Sequence, residues 1–201
     1  MTIKEEQEKL VSEFREFSDW EDKYTAIIKM GKEMSEFPEE YRVEKNKIHG
    51  CQSQVWMNAK LDEGKVIIEA DSDAMIVKGL IAMLVKVYSQ QTPKDILSNP
   101  PDFVKQIGID NHLSPTRKNG LGAMLKQIQM YALAFSTITK WIFSQKFKNK
   151  NAGNISGIFI NRIIQNRTIV NSINNPQFYP IFSHQYLRKT ASQFLYICLC
   201  T

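Results

Sequence analysis

The 201-residue sequence predicts an α+β fold, a small antiparallel sheet packed against several helices, on three observations. Five segments open with side-chain caps or a cap followed by proline, the signals that start helices. One stretch from Gln54 alternates apolar and polar residues with a period of two, as a strand with one buried face does. A four-residue polar turn then returns the chain into a second such stretch, and so short a link can join only antiparallel neighbours.

The elements follow in order. Thr2 with Glu5 reads as a capping box, and Ile3, Leu10, Val11 and Phe14 form one helical stripe behind it. Ser18 with Glu21 repeats the box for a second helix carrying Tyr24, Ile27, Ile28 and Met34, which must end before Pro38. These two helices are expected to pack as a pair, with residues 39–47 a charged loop. Val55, Met57, Ala59 and Leu61 then mark the buried face of the first strand, Asp62-Glu63-Gly64-Lys65 the turn, and residues 66–70 the returning strand. Asp73 stands as N-cap of a helix bearing Val77, Leu80, Ile81, Leu84 and Tyr88. Thr92-Pro93 and Ser114-Pro115 each open another helix, the second running to about Ile138 with Gly120 and Gly122 in its first turns. Glycine inside a helix costs about 1 kcal/mol against alanine, which points to a close approach there.

The formal charge of +5 conceals two compositions. All 21 acidic residues lie at or before Asp110, and residues 1–140 hold 19 basic side chains against them. Residues 141–201 hold seven basic residues and no acid, with eight asparagines, ten isoleucines and six phenylalanines, and neither the helical nor the strand period persists. A domain of residues 1–140 is therefore expected, followed by an acid-free extension that is poorly ordered or non-native, since its content is what translation of an AT-rich non-coding frame produces. Seven cations spread over 61 residues, mixed with Phe147, Phe159, Tyr179 and Tyr186, are too dilute for a nucleic-acid surface, so no nucleic-acid partner is expected. No run of about 18 apolar residues would span a membrane, and the start Met1-Thr2-Ile3-Lys4-Glu5-Glu6 is too acidic for a targeting segment. A cytoplasmic location is the expectation.

The cysteines at 51, 198 and 200 are odd in number and spaced for neither a disulfide framework nor a structural metal site. Cys198-Leu199-Cys200 is weak ground for a resolving pair. Cys51 follows Gly50 where a polar loop enters the first strand, a place from which a thiol can reach a partner. A small buried hydrophobe is the competing reading, because a reactive thiol also needs an electropositive, partly exposed setting. His49, two residues away, would point similarly in an extended segment. Cys51 with His49, Asp71, Asp73 and His112 could be drawn together around a metal, but no spacing demands it. Asp71 and Asp73 read as a turn residue and a cap, or as an acid/base pair. Arg117, in the first turn of a helix, opposes the helix dipole and so hints at a partner carboxylate or a loop to hold.

The combination is more specific than its parts. Gly50-Cys51-Gln52-Ser53-Gln54-Val55-Trp56 resembles the signature of the SufE family of sulfur acceptors for cysteine desulfurases. Collinear blocks resemble that family as well: Trp20-Glu21-Asp22-Lys23-Tyr24 with Gly31, Asp71-Ser72-Asp73-Ala74 with Lys78-Gly79-Leu80, Thr92-Pro93, and His112-Leu113-Ser114-Pro115-Thr116-Arg117 with Gly120-Leu121. The resemblance covers about residues 5–138; Gly122 departs from the larger, often acidic residue of the family, and His49 falls where its motif sets no residue.

The resemblance implies a persulfide relay. A cysteine desulfurase hands sulfur to Cys51, is stimulated by doing so, and the sulfur passes on to an iron-sulfur cluster assembly scaffold. It implies no cofactor of this chain's own, the pyridoxal phosphate belonging to the desulfurase, and a monomer or weak homodimer. Gly50, Gln52, Ser53, Asp73 and Arg117 are implied as residues that support the Cys51 loop or contact the partner. The alternative is an interaction protein that binds the desulfurase without relaying sulfur; a cluster scaffold would need three or four converging ligands, and residues 1–140 supply one cysteine.

Overall fold

The computed structural model describes residues 1–148, with side chains described to Thr139. In chain order it contains α1 (Ile3–Arg15), α2 (Trp20–Lys32), β1 (Val55–Asp62), β2 (Lys65–Ser72), α3 (Met75–Tyr88), α4 (Pro93–Ser98), α5 (Asp102–Ile107), α6 (Ile109–His112) and α7 (Pro115–Lys148). The fold is α+β, as the patterning predicts. Of the acid-free extension expected over residues 141–201 to be poorly ordered, residues 141–148 continue the helix α7, and the remainder, Cys198 and Cys200 among it, lies outside the described residues.

β1 and β2 form an antiparallel hairpin in which Met57 faces Ala70, Ala59 faces Ile68 and Leu61 faces Val66. All six side chains are buried on one face, where α3 and α7 cover them. The turn places Glu63 and Gly64 at positive φ, the pair of conformations that matches strand twist in a two-residue hairpin loop. Across the covered face, the buried Tyr131 of α7 donates its hydroxyl to the Met57 carbonyl at 2.9 Å. The long helix is thereby tied to the strand that leads out of the Cys51 loop.

α1 carries the predicted capping box, with the Glu5 amide donating to Thr2 Oγ1 and the Thr2 amide to Glu5 Oε2. α2 starts one residue later than the Ser18 box predicts: the Asp19 carboxylate accepts from the Asp22 amide at 2.9 Å. An ionised carboxylate answers the partial positive charge of a helix N-terminus better than a hydroxyl does. The first two helices do not form a pair of their own. α1 lies against α5 and α3, while α2 packs along α3. The reason is a glycine on each side of the α2–α3 crossing, since a Cβ on Gly31 would stand 2.8 Å from the Gly79 nitrogen.

Three more differences have local causes. Asp73 does not cap α3, whose N-cap is Ala74 without a side-chain bond, because the Asp73 carboxylate is turned back toward β1. α5 and α6 were not visible in the patterning, being only six and four residues long, too short to display a helical period. α7 continues past Ile138 to Lys148 because residues 139–148 contain neither proline nor glycine to stop it. Among the described residues no helix is long and apolar enough to cross a membrane.

Candidate functional site

The Cys51 loop is closed at its base. The Ile48 amide donates to the Val55 carbonyl at 2.8 Å and Lys47 bridges to Trp56, so residues 49–54 stand out as a short loop on the end of β1. Gly50 enters it with φ of 92°, a conformation in which any Cβ is strained. Gln54, at the far side of the loop, is held on both its backbone groups. Its amide donates to Asp73 Oδ1 at 3.0 Å, and its carbonyl accepts from Ser72 Oγ at 2.8 Å and from the Asp73 amide. Asp73 therefore anchors the loop base to the end of β2, which explains why it is unavailable as a helix cap.

A second set of bonds fixes the hairpin end beneath the loop. Asp71 is paired across the hairpin with Trp56, and its side chain is only 5% exposed. Its carboxylate meets the Arg42 guanidinium and, at 2.8 Å, Lys78 Nζ. Burial by itself would push this carboxyl upward, but the Lys78, Ser72 and Arg42 hydrogen bonds outweigh it and hold the group below the ordinary carboxylate value. Arg42 also meets Glu39 at 2.7 Å and stacks its guanidinium over Phe37 and Trp56. Asp71 is thus a buried structural anchor rather than half of an acid/base pair, and the charged 39–47 segment is folded onto the sheet by it.

Cys51 itself is half-buried at one wall of a cavity of about 400 Å³. Gln52 and Ser53 from the loop, residues 74–77 and Leu80 from the start of α3, and Thr116, Arg117, Gly120 and Met124 from α7 complete the lining. Burial pushes the Cys51 thiol above its ordinary value, so the resting group is the protonated thiol. The cavity wall facing the sulfur is the bare backbone of Gly120: a Cβ built there would lie 2.9 Å from Cys51 Sγ. Gly122, by contrast, has open space around it. Of the two helical glycines that signal close approach in the sequence, one marks the site.

Arg117 lines the cavity, is solvent-exposed, and makes no ion pair with Asp73 or any other described residue. Its neighbour Thr116 donates to Gln52 Oε1 at 3.5 Å, a long bond linking the α7 N-terminus to the loop. His49 is exposed and does not line the cavity. His112 lies elsewhere, stacked on Trp20 with ring centroids 3.6 Å apart while its carbonyl accepts from the Tyr24 hydroxyl. Those contacts seat the loop before α7 on α2, bringing together two sequence blocks 88 residues apart. Among the described residues no three His, Cys, Asp or Glu side chains converge to hold a metal ion.

Sequence reasoning gave no site role to Arg42, Lys78, Gln54 or the apolar wall of Ile76, Val77, Leu80 and Met124, although Gln54, Lys78 and Leu80 stand within the blocks that resemble the family. Arg42 and Gln54 meet partners 29 and 19 residues away, and Lys78 meets Asp71 across the turn from β2 into α3, a pairing that no helix or strand period marks. The apolar wall reads in sequence as ordinary helix core.

The chain matches the protein family described as "SufE: Fe-S metabolism associated domain" over residues 8–132. A solved structure, described as the solution structure of a hypothetical protein from Thermus thermophilus, is 22% identical with a TM-score of 0.57, the match covering 66% of this chain and 96% of that one. At that identity the likeness is one of fold.

Proposed function

The chain belongs to the SufE family of Fe-S metabolism associated domains, and from that membership we propose that it is a sulfur acceptor whose acceptor atom is Cys51 Sγ. The single observation that carries this reading is the placement of that sulfur, on a closed loop at the wall of a cavity, half-buried and beside a residue without a side chain.

In the proposed step a cysteine desulfurase presents a cysteine persulfide. The Cys51 thiolate attacks the outer sulfur, the donor S–S bond breaks, and the donor cysteine leaves as a thiolate while Cys51–SSH forms. One sulfane sulfur moves with its oxidation state unchanged, so no oxidant is needed. The reaction is thiol-disulfide exchange in form, and its rate follows thiolate fraction, nucleophilicity and access. Burial keeps the Cys51 thiol protonated at rest, which protects it from stray oxidation. Docking of the desulfurase then has two tasks, to draw the loop outward and to favour the thiolate. Gln52, Ser53 and Arg117 on the cavity rim are the contact residues in this reading, and Asp73 supports the loop through Gln54. The acceptor stimulates the desulfurase by clearing its persulfide, and passes the sulfur to an iron-sulfur cluster assembly scaffold. Pyridoxal phosphate stays with the desulfurase.

The test is transfer from a cysteine desulfurase supplied with free cysteine, read as the mass gain of one sulfur atom. The expected result is gain on the intact chain and none on Cys51→Ser. A persulfide appearing normally on Cys51→Ser would sink the mechanism. A chain that binds the desulfurase but never gains sulfur would be an interaction protein instead.

A further inference from the structure

We propose that Gly120 is a positioning residue for Cys51: its missing side chain is the seat that holds the sulfur retracted against α7. The inference deepens the acceptor reading, but the seat is measurable without any sulfur transfer.

The geometry is one of mutual exclusion. A Cβ on Gly120 would stand 2.9 Å from Cys51 Sγ, closer than real Cβ atoms approach, yet 3.6 Å from Cys51 Cβ and 3.7 Å from its Cα, which are ordinary contacts. Only the sulfur is in the way, and the sulfur is the one atom of the three that a χ1 rotation can move without moving the chain. A methyl at position 120 therefore evicts the sulfur from its seat while leaving the loop backbone where it is. Eviction has a chemical consequence, because the retracted sulfur is the one whose burial raises the thiol. Displaced toward the cavity mouth, it regains solvent and its thiolate fraction rises.

Gly122 supplies the control. It lies two residues on in the same helix, exposed and with nothing within 4 Å, so Gly122→Ala alters helix propensity as Gly120→Ala does and touches nothing else. The rate of Cys51 alkylation by iodoacetamide is to be followed from pH 6 to 10 in wild type, Gly120→Ala and Gly122→Ala. Gly120→Ala should alkylate faster near neutral pH by about threefold or more, the effect of a fall of about half a pKa unit on thiolate fraction, with the profile moved to lower pH. Gly122→Ala should superimpose on wild type. A Gly120→Ala profile equal to or slower than wild type overturns the proposal.

A second measurement covers the case in which Gly120→Ala folds poorly. In a Cys51→Ala background the sulfur is gone, and Gly120→Ala should then raise the melting temperature as Gly122→Ala does. The same loss of stability in both backgrounds would show that the notch serves something other than the sulfur, and would overturn the seat. Sulfur transfer separates the two ideas. If the alkylation difference stands but neither protein gains sulfur from a desulfurase, the seat holds and the acceptor reading fails.

Discussion

Gly79→Ala measures how tightly α3, the helix that opens into the Cys51 cavity, is held against α2. A Cβ at position 79 would overlap the Ile27 carbonyl oxygen and lie 2.5 Å from Ile27 Cγ2 and 2.7 Å from the Ile27 carbonyl carbon. Carbon contacts relax at about 3.5–4.0 Å, so the two helices must part by roughly 1 Å. The Ile27 side chain can rotate away, but the backbone carbonyl cannot. Overpacking of this kind costs about 1–3 kcal/mol and occasionally more, with the upper range expected where backbone is the obstacle. The gain in helix propensity, about 1 kcal/mol, offsets part of it. A net loss of about 2 kcal/mol is expected, a fall in melting temperature of roughly 4–8 °C for a chain of this length. Thermal unfolding followed by far-ultraviolet circular dichroism reads it directly, with Gly122→Ala as the helix-propensity reference. A Gly79→Ala protein as stable as Gly122→Ala would mean that the helices are not in contact at Gly79, and the α2–α3 crossing described above would be wrong.

Two further outcomes are expected. Asp71→Asn removes the carboxylate shared by Arg42 and Lys78 and should cost about 2–4 kcal/mol at pH 7, somewhat less than for a fully buried pair because both cations reach solvent. Because the folded pKa of Asp71 lies below its unfolded value, that stability is complete above about pH 4 and is lost as the pH falls through the folded value. Urea unfolding of wild type and variant should therefore converge at low pH, and a gap that stays constant from pH 7 to 2 would contradict the assignment. Tyr131→Phe removes the hydroxyl that donates to the Met57 carbonyl and should cost about 1 kcal/mol by the same measurement. No change would mean that water replaces the bond at a position that is fully buried.

Much of the fold was legible because it is written in local patterns. The Thr2 and Thr92 caps, the alternation from Val55 to Leu61 and the turn at Glu63 and Gly64 each depend on residues within a few positions of one another. The misreadings share one cause. Ser18, Asp73 and the supposed pairing of α1 with α2 were each decided by a competitor that local spacing does not reveal. Asp19 is the stronger cap by charge, the Gln54 amide 19 residues away claims Asp73, and the Gly31–Gly79 contact draws α2 onto α3.

The site divides in the same way. The sequence by itself determined that Cys51 is the thiol to consider, that it sits in a glycine-led loop entering a strand, and that a helical glycine near position 120 leaves room for something. What that room holds was decided only when α7 folded back across the sheet, because a missing side chain has no meaning until another atom occupies its place. The same holds for the thiol's burial, for the Asp71 anchor beneath it and for the cavity built from α3 and α7. Each arises from groups far apart in the chain, whose distances only tertiary packing sets.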